Sequence, residues 1–261
     1  MGAMKSSQTT PVEPVLVVVV GGIDPSGGAG LLRDVASAAA RGARAHAVGT
    51  AWTEQGNGMH RVEPRDPGAV REALRWAIAG LRPAAVKIGM AVGPATAAAL
   101  VDGLAGYDGP VVVDPVLATS RGGPLWAGPP AELLPLLRRA TLVTPNAPEA
   151  AALAGTPVST IAEAEAAGRA LVATAGLRAV LVKGGHVGDD GDPDVTDVLV
   201  TARGVDRFSR ARVPGPSSRG TGCRLATAIA VGLGRGAALP AAVADAAAYL
   251  AAEILRRDFE P

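Results

Sequence analysis

The residues best suited to chemistry lie late in the chain, in Pro216-Ser217-Ser218-Arg219-Gly220-Thr221-Gly222-Cys223, followed by the Ala-rich run Arg224-Leu225-Ala226-Thr227-Ala228-Ile229-Ala230. Glycines flank a threonine just before a helix-forming segment. A helix N-terminus carries unpaired backbone N–H groups and a partial positive charge. Glycines let those amides approach a ligand closely, so the pattern is that of an anion site suited to phosphate. Cys223, the sole cysteine, would sit in that field, where a thiol pKa is expected to fall. The alternative is a Gly-rich turn before an ordinary core helix.

Further polar groups stand where apolar runs end. Asp114 precedes Pro115 after Val111-Val112-Val113, which places it on a rigid, non-helical turn. Asn146-Ala147-Pro148-Glu149 has the spacing of a capping box. Glu149 and Asp114 are equally a pair that could hold Mg²⁺ through water. Lys183 closes the run Ala179 to Val182 and could neutralise a phosphate, or be an exposed lysine beyond a strand. Asp34 follows Gly27-Gly28-Ala29-Gly30 and reads either as a site residue or as helix-dipole placement. His46 reads as structural, and no His/Cys cluster suggests zinc.

The elements that must position these groups alternate. Val15–Val20 reads as a strand buried on both faces, followed by a Gly-rich turn and a helix from Leu31 to Arg41. That turn matches neither a Walker A loop nor a dinucleotide fingerprint. Further strands are expected at 45–51, 84–88, 111–113, 141–143 and 179–182. Helices are expected at 67–81, 94–104, 131–138, 146–154, 161–175, 222–233 and 240–256. Residues 52–58 read as a polar loop, 119–130 as a Gly/Pro-rich flap, 188–194 as an acidic turn, and 195–200 with 207–213 as a hairpin. Alternating strands and helices imply a mostly parallel sheet with helices on both faces. Ligands bind such sheets beyond the carboxyl ends of strands, where Gly22, Met90, Asp114, Asn146 and Lys183 fall.

Composition excludes other classes. With 261 residues, 48% hydrophobic and 19% charged, the chain is globular. It reads as a short disordered tail over residues 1–14 and one domain over 15–261. A net charge of +1 and 3% aromatics give no case for nucleic-acid or membrane partners. One cysteine excludes an intrachain disulfide and fits a reducing, cytoplasmic setting. The longest apolar run near the start is too short to cross a bilayer.

Taken together, the motifs resemble the ribokinase-like superfamily, and within it the hydroxymethylpyrimidine/phosphomethylpyrimidine kinases. They occur in that family's order: Gly22-Ile23-Asp24-Pro25-Ser26-Gly27-Gly28-Ala29-Gly30 with Asp34, then Thr53-Glu54-Gln55, Val86-Lys87-Ile88-Gly89-Met90 and Asp114-Pro115-Val116. Thr144-Pro145-Asn146-Ala147-Pro148-Glu149-Ala150, Lys183-Gly184-Gly185-His186 and Gly220-Thr221-Gly222-Cys223 complete them. The resemblance implies a three-layer α/β sandwich and a homodimer. It implies transfer of phosphate from ATP, with Mg²⁺ and the option of a monovalent cation, to 4-amino-5-hydroxymethyl-2-methylpyrimidine and then to its monophosphate. It assigns Gly22, Asp34, Gln55, Met90 and Val116 to the pyrimidine, with Asp34 and Gln55 bonding the aminopyrimidine edge. Asp114, Asn146 and Lys183 go to the nucleotide, Asp114 and Glu149 to the metal, Gly220, Thr221 and Gly222 to the anion hole, and Cys223 to the place of a catalytic base. Arg219 stands where the family commonly has His, and could contact a phosphate on ATP or on a phosphorylated substrate. Pyridoxal or pyridoxine kinase activity is the nearest alternative, and a non-catalytic ligand-binding protein of this fold the more distant one.

Overall fold

The computed structural model describes residues 13–56, 59–119, 122–187, 193–213 and 219–256. Most of the expected tail, most of the acidic turn and Pro216 to Ser218 lie outside these residues.

The first strand, β1 (Leu16–Ile23), sets the layering. Val17, Val18, Val19 and Val20 are all fully buried, because the pleat sends alternate side chains to opposite faces and both faces are covered. Val17 and Val19 pack with α1 (Gly30–Ala40), α7 (Thr221–Gly234) and α8 (Leu239–Leu255). Val18 and Val20 pack with α2 (Pro67–Leu81), α3 (Pro94–Gly103), α4 (Leu134–Leu137), α5 (Ala147–Ala154) and α6 (Ile161–Ala173). The result is the expected three-layer sandwich.

The sheet also contains β2 (Arg44–Gly56), β3 (Met59–Pro64), β4 (Ala85–Ile88), β5 (Val111–Val113), β6 (Leu142–Val143), β7 (Ala179–Val182), β8 (Asp194–Thr201) and β9 (Gly204–Ala211). Its order is β3-β2-β1-β4-β5-β6-β7-β8-β9. The run from β2 to β7 is parallel, and β3, β8 and β9 add antiparallel edges. The carboxyl ends of β1, β4, β5, β6 and β7 therefore lie along one rim.

Two expectations change. Residues 52–56, read as loop, continue β2 and pair with β3. Trp52 is 49% exposed while Ala51 and Thr53 are buried, so this is an edge ribbon with one wet face, whose polar, Gly-containing composition reads as a loop. The 119–130 stretch, read as a flap, is anchored through its second half. Leu125 N–H donates to Leu117 O, Ala127 N–H donates to Val92 O, and Leu125 and Trp126 are buried.

Candidate active site

Five charged groups stand in a row across the strand ends. Asp34, on α1, accepts from Lys87 Nζ at 2.9 and 2.7 Å through its two oxygens, and from Thr227 Oγ1 at 2.9 Å. Asp114, beyond β5, accepts from Lys183 Nζ at 2.7 Å and from Thr144 Oγ1 at 3.1 Å. Lys183 Nζ is also 4.0 Å from Glu149. Burial would lower the Lys87 ammonium, yet Asp34, Cys223 and Asp114 hold it well above the usual lysine range. Lys183 is likewise raised, burial being outweighed by Asp114 and Glu149. Burial pushes the Glu149 carboxyl up to about 7, with Lys183 opposing and Asp114 adding to the rise. Three carboxylates against two ammoniums leave one negative charge uncompensated, and Glu149 carries the strain.

Glu149 and Asn146 form the expected capping box: Asn146 N–H donates to Glu149 Oε2 and Glu149 N–H to Asn146 Oδ1, both at 2.8 Å. The capping role is therefore realised, and it fixes the carboxylate beside Lys183. Lys183 is itself tied to the Asn146 turn, its N–H donating to Pro145 O. Among the described residues no group of three or more His, Cys, Asp or Glu is placed to hold a metal ion. Asp114 and Glu149, sharing one lysine, fit Mg²⁺ only in the manner of an ion that keeps its waters and takes one or two carboxylates plus phosphate oxygens. The uncompensated charge of the row is the feature that suits such a cation.

Above the row begins α7. Its N-cap is Gly220, at φ 76°, and no side chain caps the helix, so its first amides remain available to a ligand. A Cβ on Gly222 would stand 3.0 Å from Lys183 Nζ and 3.3 Å from Asp114 Oδ2. The expected anion hole and the expected phosphate lysine thus meet at one glycine. Cys223 is half-buried and receives the Gly30 N–H at the start of α1, yet burial pushes its thiol up to about 11 despite Lys87. This corrects the expectation of a lowered pKa: desolvation, with Asp34 and Asp114 nearby, outweighs both helix ends.

Beside β1, Gly22, Met90 and Val116 come together. A Cβ on Gly22 would meet Met90 Sδ at 2.8 Å. Met90 clusters with Ala51, Val92 and Leu125, with Val116 and Val62 packed against them. Val92 has φ 63°, unusual for a β-branched residue; Gly93 N–H donates to Ala91 O across it. Gln55 lies on β2 with its backbone opposite His60. Asp34 lies beneath this group. It is fully buried, and both oxygens are engaged by Lys87, so its carboxylate supports the floor of the site. Arg219 reaches back over the first glycine turn to Asp24 at 2.9 Å.

A family profile described as phosphomethylpyrimidine kinase matches residues 24–260. The chain belongs to this family. The similarity extends to relatives named hydroxymethylpyrimidine/phosphomethylpyrimidine kinase. The Streptomyces coelicolor protein is 35% identical over 252 residues, covering 95% of this chain and 92% of its own length. The Rhizobium meliloti protein is 37% identical over 250 residues, covering 93% and 91%. The crystal structure of a phosphomethylpyrimidine kinase from Clostridium difficile superposes with a TM-score of 0.77 at 28% identity, covering 92% of this chain and 99% of that one. A pyridoxal kinase from Staphylococcus aureus, in complex with AMP-PCP and pyridoxal, superposes at 0.82 with 24% identity, covering 92% and 88%. That likeness establishes the shared ribokinase-like fold.

Sequence reasoning had placed Lys87 only within a motif and gave it no role. Its signal was a lysine in the otherwise apolar strand Ala85-Val86-Lys87-Ile88, where an unpaired charge would be costly. Thr144, Thr227 and Asp24 carried no comparable signal.

Proposed function

We propose that this member of the phosphomethylpyrimidine kinase family transfers phosphate from ATP to the hydroxymethyl group of 4-amino-5-hydroxymethyl-2-methylpyrimidine, and then to the resulting monophosphate, in thiamin biosynthesis. One observation carries the reading: the side-chain-uncapped start of α7 meets the Lys183–Asp114 pair at Gly222. Phosphoryl transfer demands positioning and charge stabilisation more than covalent chemistry, and those are what this junction offers.

The acceptor ring lies against Gly22, Met90 and Val116, and the family resemblance assigns Gln55 to its polar edge. The nucleotide approaches from the β6–β7 side, where Asn146 and Lys183 are fixed to one another. Amides of Gly220 to Gly222 hold the transferring group, and Lys183 neutralises its oxygens as charge redistributes. When bound, Mg²⁺ would supply further charge neutralisation on the phosphates, with Asp114 and Glu149 holding its water shell. The raised Cys223 thiol stays protonated at neutral pH, so it positions the acceptor hydroxyl and does not pull its proton as a preformed thiolate. Such transfer needs little proton removal before the transition state.

Among the described residues no helix is long and apolar enough to cross a membrane. The family resemblance carries the reading of a cytoplasmic homodimer, which light scattering of the purified chain would test for its oligomeric part. The reaction itself is tested by Mg-ATP turnover with the pyrimidine, its monophosphate, pyridoxine and pyridoxal. Turnover of the two pyrimidines is expected. Turnover of pyridoxal or pyridoxine alone would overturn the substrate assignment.

A further inference from the structure

The turn that opens α7 has a cation on each side. Lys183 lies on the β7 side, against Gly222. Arg219 lies on the β1 side: Nη2 donates to Asp24 Oδ2 at 2.9 Å, Nη1 is 3.5 Å from Ser26 Oγ, and a Cβ on Gly28 would stand 3.3 Å from Nη1. The β1 turn leads directly from Gly22, which the proposed reaction assigns to the acceptor ring. Resting on the proposed reaction, we infer that Arg219 is a specificity-determining residue: it recognises the phosphate of an acceptor that already carries one, and so biases this chain towards the second transfer.

The chemistry of the pair supports this. A guanidinium fork matches phosphate oxygens better than a point charge does. The Arg219 side chain is 31% exposed, while Asp24 is 1% exposed. The guanidinium is thus reachable from the rim, and Asp24 holds it from behind. Asp24 Oδ1 keeps bonds from Ser26 N–H at 3.1 Å and Ser26 Oγ at 2.8 Å, so the carboxylate retains part of its hydrogen bonding when Arg219 turns towards a phosphate. The two loops lie in close contact. Gly220, at φ 76°, packs so closely that a Cβ there would come 2.5 Å from Gly28 O. Arg219 is therefore set against the β1 turn, across the start of α7 from Lys183. The unphosphorylated alcohol has no anion for it to bind.

The test is calorimetric binding of the pyrimidine and of its monophosphate, without nucleotide, to the full chain and to Arg219→Ala and Arg219→Lys, alongside turnover with both acceptors. The wild type is expected to bind the monophosphate more tightly. Arg219→Ala is expected to reduce that preference at least about tenfold, and Arg219→Lys to restore part of it. Equal binding of the two ligands by the wild type, or an unchanged preference in Arg219→Ala, overturns the inference, while turnover of the pyrimidine by the same preparation leaves the proposed reaction standing. Binding of neither ligand and turnover of neither overturns both.

Discussion

Lys87 Nζ sits 2.7 Å from Asp34 Oδ2 and 2.9 Å from Oδ1, with each side chain 1% exposed, making a fully internal ion pair beneath the start of α7. Thr227, one turn beyond Cys223 on α7, donates to the same carboxylate. Three elements, α1, β4 and α7, are thereby tied through one carboxylate. Gly89 also belongs to the arrangement, since a Cβ there would fall 2.9 Å from Lys87 Nζ.

Breaking that pair from one side leaves a buried charge without its partner. Lys87→Met is expected to cost about 3–5 kcal/mol of stability, measured by urea unfolding. The double variant Lys87→Met/Asp34→Leu is expected to regain most of the loss, because an apolar replacement of both partners removes the desolvation cost. A double variant no more stable than the single one would show that the pair contributes net stability.

Lys183 is crowded by Gly222 on one side and held by Asp114 on the other. Lys183→Met is expected to lower kcat by at least about 100-fold, in the range of a lost transition-state donor. Lys183→Arg is not expected to rescue it, because the larger fork must displace Gly222. Steady-state kinetics with saturating Mg-ATP check both; near-normal kcat in Lys183→Arg would place the phosphates elsewhere.

The Cys223 thiol, pushed up to about 11, sets two pH dependences. Alkylation of the native protein by iodoacetamide should be slow at pH 8 and climb about tenfold per pH unit towards 11, since the thiolate is the nucleophile. An inflection near 8 would contradict the burial of this group. The linked stability has a definite sign. A folded-state pKa raised above the value of 9.0 contributes stability fully present below pH 9 and lost as pH rises towards 11. Cys223→Ser removes this contribution, so its stability should fall less than the wild type's across that window, by on the order of 3 kcal/mol.

Glu149 is raised to about 7 by burial, so its ionised form is uncomfortable in the ligand-free protein above neutrality. Glu149→Gln keeps an oxygen to accept the Asn146 N–H and removes the charge. We expect it to be more stable than the wild type at pH 8, where the native carboxylate is ionised, and less active, because a phosphate-side cation loses its partner. Thermal melting and kcat at the same pH check the two halves; a variant that loses both stability and activity would show that the ionised carboxylate, facing Lys183, is itself stabilising.

The alternating strands and helices were legible from hydrophobic period and turn residues alone, because those signals are local. The glycine turns and the Asn146–Glu149 box were legible for the same reason: conformational freedom and capping act within a few residues. The chain by itself therefore determined the layered α/β class, the rim on which polar groups gather and the motifs of its family. It did not determine which charges meet. Lys87 and Asp34 are 53 positions apart, and Arg219 and Asp24 are 195 apart, so only the crossing of separate elements brings them within hydrogen-bond reach. The same holds for Cys223. A helix start predicts a lowered thiol pKa, and the tertiary structure raises it, because desolvation depends on everything packed around a group and not on the element that carries it. The edge ribbon of β2 and β3 was hidden for a related reason: its polar, Gly-containing composition outweighs its short alternation, and only pairing with the partner strand makes it a strand.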